Sequence, residues 1–187
     1  MKADDAWMHG FIASLDSLRG SGTGQRDNLA LSALARGFGS RSADRDMWVW
    51  RHLHGAPPQA EETAMLVASA YGRYHRQPRH VARPPTSLGA SYAALARISD
   101  TETTAAERRL SRLIDSDQSD LPDRIRRAID HLGARDVGID WLALLQDIAR
   151  WSRPGRPVQR RWARDFWRSR ERRGSDMTPA TGAEHAS

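Results

Sequence analysis

The sequence predicts an all-α protein of two small helical lobes, the C-terminal one a helical bundle. Three observations lead there. Ala and Leu greatly outnumber Val and Ile, and alternating strand-like runs are scarce. Apolar residues recur at i, i+3 and i+4 in segment after segment. Gly and Pro clusters separate those segments. At 187 residues the chain can bury a core without disulfide or metal staples.

The elements follow in order. A first helix is expected over 4–18, with Trp7, Phe11, Leu15 and Leu18 on one face, and the glycines from Gly20 to Gly24 break it. A second covers 27–38 and stops at Gly37 and Gly39. "RDMWVWRHL" gives a third, short helix that ends at "HGAPP". A fourth fits 61–75 through Met65, Leu66, Ala68 and Tyr71. "RQPRHVARPPTS" cannot continue it, because its three prolines remove donors and fix the backbone. It reads as an exposed loop joining the lobes. Helices resume over 88–98, 104–114, 121–132, 140–151 and 157–172. The closing "GSDMTPATGAEHAS" lacks apolar periodicity and reads as a disordered tail. The expected division is an N-terminal lobe with its loop over 1–86, a C-terminal bundle over 87–173 and a tail over 174–187.

Composition narrows the function classes. There is no cysteine, so neither disulfides nor thiolate metal sites are available. "MKADDAWMHG" is acidic where a secretory leader would be basic, and no apolar run approaches the length of a bilayer span. A cytoplasmic protein with no membrane contact is the expectation. "GSGTGQRD" resembles a phosphate loop only in its glycines, lacks the Lys-Ser/Thr ending and follows a helix instead of a strand. His52 and His54 have no second ligand cluster. The acid pairs Asp4 and Asp5, Asp115 and Asp117, and Asp136 and Asp140 sit near element ends, where capping and dipole compensation account for them. These absences predict no enzyme, no cofactor and no metal. A nuclease assembled from distant acids is the weakest of the alternatives.

Charge is the positive signal. The basic residues are 28 Arg and one Lys, a bias that a GC-rich genome also produces, so its clustering says more than its ratio. "WSRPGRPVQRRWARDFWRSRERR", 151–173, holds nine arginines against Asp165 and Glu171, a net +7 in a chain whose total is +6. It is either a solvated helix face or a surface for a polyanion. Helical geometry puts Val158, Trp162 and Phe166 on one stripe, and Arg160, Arg161, Arg164 and Arg168 within about 100° on the opposite side. Ala106, Leu110, Leu113 and Ile114 leave Arg108 and Arg112 on the far side of their helix and Arg109 on its flank. Leu121, Ile125, Ile129 and Leu132 leave Arg126 and Arg127 outward. Arginine suits such a groove because its fork binds phosphate oxygens bidentately and stays charged. Trp141, Trp151 and Trp162 read as core, whereas Trp167, off the stripe, is the stacking candidate.

"SLG" at 87–89, "ERRLSRLIDSD" from Glu107, "RIRRAIDHL" from Arg124, "IDWLALLQDIARW" from Ile139 and "VQRRWARDFW" from Val158 occur in that order. Together they resemble the CasB family, the small subunit of the type I-E CRISPR surveillance complex Cascade. The resemblance covers 87–167 well and the N-terminal half loosely. It implies a non-catalytic all-α protein of two lobes, present as two copies beside the other Cascade subunits and the guide RNA. Its basic surface would hold the displaced non-target DNA strand and stabilise the R-loop. Carried over by position, the Glu-Arg-Arg match places Arg108 and Arg109 in the basic groove, and the next Arg-Arg match places Arg126 and Arg127 there. Where family members often have two adjacent basic residues near the end of the second helix, this chain has Ala35-Arg36, so Arg36 alone carries over. The residue after Ser-Leu-Gly, often basic, is Ala90. The expected nucleic-acid contacts are therefore Arg36, Arg108, Arg109, Arg112, Arg126, Arg127, Arg160, Arg161 and Arg164. A helical adaptor whose faces serve protein contacts is the alternative.

Overall fold

The computed structural model describes residues 3–20, 25–36, 49–53, 55–78 and 84–176, with side chains from 6 to 168 within those limits. It contains helices α1 (Ala3–Ser17), α2 (Asn28–Arg36), α3 (Glu61–Tyr74), α4 (Leu88–Ala96), α5 (Asp100–Ile114), α6 (Leu121–Gly133), α7 (Trp141–Ile148) and α8 (Pro157–Asp176). A 3-10 turn, Pro58–Ala60, leads into α3, and there is no strand among the described residues. The all-α fold expected from composition and periodicity is the fold observed.

Local chemistry sets the boundaries. Ser99 caps α5, its hydroxyl accepting from the Glu102 N–H at 3.2 Å, in the Ser-x-x-Glu pattern of a capping box. That cap starts α5 four residues before the expected 104 and ends α4 at Ala96. Asp140 caps α7 by accepting from the Ala143 N–H at 2.8 Å. Helix α8 runs to Asp176, so the stretch expected to begin a tail at 174 is helical for its first three residues. Residues 177–187, Gly37, Gly39, His54 and the start of "RDMWVWRHL" lie outside the described residues. Val49 and Leu53 of that segment are buried.

Packing divides into two sets of contacts that meet on α3. Helix α2 lies along α3, and α4 lies against α5 and α8. Helix α3 packs in turn on α6 and α7, and α1 reaches α7. Two glycines permit the closest approaches. A Cβ at Gly72 of α3 would stand 2.6 Å from the Leu34 Cβ of α2. One at Gly89 of α4 would stand 2.1 Å from the Trp162 carbonyl oxygen of α8. The buried side chains, among them Phe11, Leu15, Tyr71, Trp141, Trp162 and Phe166, form one continuous apolar core. Trp141, Trp151 and Trp162 are buried within it, as their helical positions predicted. No helix among the described residues is long and apolar enough to cross a membrane.

Candidate nucleic-acid interface

Burial of one stripe per helix aims the arginines of the other side. In α5, Ala106, Leu110 and Leu113 are buried, which leaves Arg108, Arg109 and Arg112 exposed. In α6, Leu121, Ile125, Ala128, Ile129 and Leu132 are buried; Arg127 is exposed and Arg124 and Arg126 are half-buried. Between the two helices lies a depression of about 330 Å³ with Arg109, Arg112, Arg124 and Arg127 in its walls and Tyr92 of α4 beneath. A second depression, of about 610 Å³, adjoins α2 and α3 and is lined by Arg36, Arg73, Arg76 and Arg126.

The wall between them is an ion pair. Arg73 of α3 donates from Nη2 to Asp130 Oδ2 of α6 at 2.8 Å, and from Nε to the other carboxylate oxygen. Arg73 lines the second depression and Asp130 the first. The carboxylate beside Arg126 is treated likewise: Asp123 Oδ1 lies 3.5 Å from Arg126 Nη2. Each acid in these walls is thus matched to an arginine, leaving the cationic excess to the remaining guanidinium groups.

One end of the first depression holds a charged cluster. His131 Nε2 lies 2.8 Å from Arg109 Nη1 and 3.2 Å from Glu102 Oε2, while Arg135 Nη2 donates to Glu102 Oε1 at 2.6 Å. Burial, reinforced by the Arg109 charge, lowers the His131 pKa below its ordinary value. Burial works against ionisation of Glu102, but the hydrogen bonds from Arg135 and His131 outweigh it and lower its pKa. Tyr92 is pushed upward by burial, with Arg109 opposing.

The predicted residues therefore fall into four places. Arg109, Arg112 and Arg127 share the first depression, and Arg36 and Arg126 share the second. Arg108, Arg160 and Arg164 are exposed but line neither. Arg161 departs from the expected outward face: its guanidinium binds Asp147 of α7, which is 1% exposed and also accepts from the Trp162 Nε1–H at 2.6 Å. A long side chain can reach back past the stripe beside it, which angular position alone does not register. Trp167 is half-exposed and meets Phe166 edge-on at 5.3 Å.

Sequence reading did not single out Arg73, Arg76 and Arg124. Arg124 and Arg127 are i, i+3 neighbours, a spacing that puts both on one side of α6 and could have paired them. The two departures at Ala35 and Ala90 are buried small residues; Ala35 lies in the wall of the second depression. Of the two histidines weighed as metal ligands, His52 has its Nδ1 on the Ser14 hydroxyl. No cluster of three His, Asp or Glu side chains suited to a metal occurs among the described residues.

A family model described as CRISPR-associated protein Cse2 matches residues 30–167. The chain belongs to the Cse2 family of CRISPR-associated proteins. That is the CasB resemblance carried by the C-terminal motifs, and the match extends it into the N-terminal half. The CRISPR-associated protein Cse2 of Thermus thermophilus is 35% identical over 65 residues, which covers 35% of this chain and 37% of that relative. The aligned stretch thus spans little more than a third of the length of the curated relative. A crystal structure of a Cse2-family protein from the same organism superposes with a TM-score of 0.66 at 26% identity, over 86% of this chain and 97% of that one. M. ruber CasB gives 0.69 at 21% identity, over 92% and 99%. A chain of a CRISPR RNA-guided surveillance complex gives 0.72 at 24% identity, over 92% and 98%, a likeness of fold.

Proposed function

We propose that the chain is a non-catalytic small subunit of a type I-E CRISPR surveillance complex, which holds the displaced non-target DNA strand through phosphate contacts. The observation that carries this reading is the convergence of Arg109, Arg112, Arg124 and Arg127 on one depression beside a second one lined by Arg36, Arg73, Arg76 and Arg126. Membership of the Cse2 family and the likeness to a chain of a surveillance complex support the setting. Its partners are the other subunits with their guide RNA, a second copy of the chain, and the displaced strand.

The physical logic is direct. A guide–target heteroduplex is about as stable as the DNA duplex it replaces, so modest contacts to the displaced strand tip the exchange. Contacts to phosphate carry no sequence information, which a strand of arbitrary sequence requires. The site is a cytoplasmic one, where DNA is encountered. Arg108, Arg160 and Arg164 extend the basic surface outside the two depressions.

Salt and substitution test it together. In the assembled complex, Arg109, Arg112, Arg124 and Arg127 changed to Ala should shorten R-loop lifetime while assembly stays intact. For direct binding of single-stranded DNA, four phosphate contacts at about −0.7 each in log–log slope give roughly fifty-fold weaker binding from about 50 to about 200 mM salt. The Arg124→Ala, Arg127→Ala pair should flatten that slope by about 1.4. An unchanged R-loop lifetime in the fourfold variant would overturn the DNA-holding role.

A second reading has its own observation. Leu29, Trp50, Ile98 and Trp167 are large apolar side chains about half-exposed or more, with Leu29 at 67%. They suit protein contacts in an assembly, and a purely structural adaptor would use them without the arginines. The same fourfold variant separates the two, because an adaptor would retain R-loop stability.

A further inference from the structure

The cluster at the end of the α5–α6 depression contains two contacts that one proton position cannot satisfy together. Arginine only donates, so the 2.8 Å approach of Arg109 Nη1 to His131 Nε2 is a hydrogen bond when that nitrogen is bare. An ionised carboxylate only accepts, so the 3.2 Å approach of Glu102 Oε2 is a hydrogen bond when the same nitrogen bears a proton. The position of one proton decides which partner the ring holds. With Nε2 bare, Arg109 is tied to His131. When the Nδ1–H ring takes up a second proton at Nε2, the imidazolium binds Glu102 and repels the Arg109 guanidinium, which itself lies 3.8 Å from Glu102 Oε2 and so loses the ring and competes with it for that oxygen.

We propose that His131 makes this depression a proton-coupled phosphate seat, in which proton uptake at Nε2 moves the ring from Arg109 to Glu102, displaces Arg109 from both, and lets it turn to a phosphodiester. This rests on the reading of the depression as a phosphate site. The proton comes from solvent, and no covalent bond changes.

The surrounding groups leave His131 as the one that switches. From α5, Glu102 and Arg109 face it, with Arg112 further along the wall. From α6 come Arg124, Arg127 and Asp130, with Asp130 already gripped by Arg73 of α3, and from the turn after α6 comes Arg135. From α4 comes Tyr92, which burial keeps neutral. Glu102 is held ionised below its ordinary value by the Arg135 guanidinium, joined by His131 when Nε2 bears a proton. In the empty depression, burial and Arg109 favour neutral His131. A phosphodiester reverses that balance, drawing Arg109 away and adding a negative charge beside the ring. By linkage, binding raises the His131 pKa, and affinity must rise as pH falls through it.

The test uses the full chain and a fluorescent oligothymidylate at low, constant ionic strength. Each unit by which binding raises the His131 pKa is tenfold in affinity, and because the free-state pKa lies below the ordinary 6.5, the wild-type protein should bind progressively more tightly as pH is lowered from about 8 to below that value. His131→Gln keeps a polar group at the Nε2 position without a titrating proton. It should still bind, with little pH dependence. An equal pH gain in wild type and variant overturns the proton coupling alone. Absence of salt-dependent binding by either protein at any pH overturns the phosphate seat and the coupling with it. Independently of the variant, the His131 ring resonances of the wild-type protein should titrate at higher pH with oligothymidylate than without. An unmoved titration also overturns the coupling.

Discussion

Arg73 on α3 grips Asp130 on α6 with two guanidinium nitrogens, and this pair is the partition between the two basic depressions. The two side chains are 31% and 40% exposed, so the pair contributes less than about 1 kcal/mol to stability. Its larger effect is electrostatic: Asp130 places a negative charge in the wall of one depression and occupies a cation of the other.

Asp130→Asn removes that charge and releases Arg73. The expected outcome is tighter binding of single-stranded DNA at low salt, with a slope steeper by about 0.7, the increment of one single-strand phosphate contact. Unfolding by urea should change by less than about 1 kcal/mol. A fluorescence titration across salt concentrations checks the first and a denaturant curve the second. Unchanged affinity would mean that neither residue lies near the strand.

Glu102 should govern part of the acid sensitivity. Burial alone would raise its pKa, but Arg135 and His131 lower it below 4.5. A carboxylate with a depressed folded-state pKa contributes stability that is fully present above the unfolded value and lost as pH falls through the folded one. Glu102→Gln removes that contribution. The variant should lose less stability than the wild-type protein between neutral pH and the region below 4.5, as read by urea midpoints at matched ionic strength.

Helical periodicity carried most of the fold, because a buried stripe at i, i+4 spacing constrains both an element and its facing. Val158, Trp162 and Phe166 are buried as their spacing implies. The site was legible only in part. Arg126 and Arg127 are adjacent, and one residue of rotation sends them into different depressions. Arg73 and Arg76 join the site because α3 packs on α6, a relation no local pattern encodes. Arg161 turns inward because Asp147, on another helix, is buried within its reach. The "SLG" motif also has its reason in three dimensions: Ser87 caps α4 and donates to Asp165 of α8 at 2.7 Å, Leu88 is buried, and Gly89 touches the α8 backbone.

Asp147 should matter more to stability than to binding. Burial raises its pKa, while the Trp162 N–H and Arg161 pull it down. Removing the carboxylate strands a buried indole donor, which costs about 1–3 kcal/mol, whereas half-exposed Arg161 can turn to water. Asp147→Ala should therefore lose about 2–3 kcal/mol in urea unfolding. Asp147→Asn, whose amide oxygen can still accept from Trp162, should lose less. Equal losses would show that the charge on Asp147, and not the indole acceptor, sets the cost.

The helix contact at Gly89 gives a prediction opposite in sign to ordinary helix propensity. Alanine in place of glycine within a helix gains up to about 1 kcal/mol. At Gly10 of α1 an added Cβ meets nothing within 4 Å, so Gly10→Ala should raise stability by about 0.5–1 kcal/mol. At Gly89 the added Cβ would stand 2.1 Å from the Trp162 carbonyl oxygen and 2.6 Å from its Cα. Those are backbone atoms, so no rotamer change relieves the clash. Helices α4 and α8 must separate, which costs about 3 kcal/mol or more by the usual scale of overpacking. Paired thermal or urea unfolding of the two variants checks both signs, and a Gly89→Ala protein as stable as wild type would show that α8 does not pack on α4 at this distance.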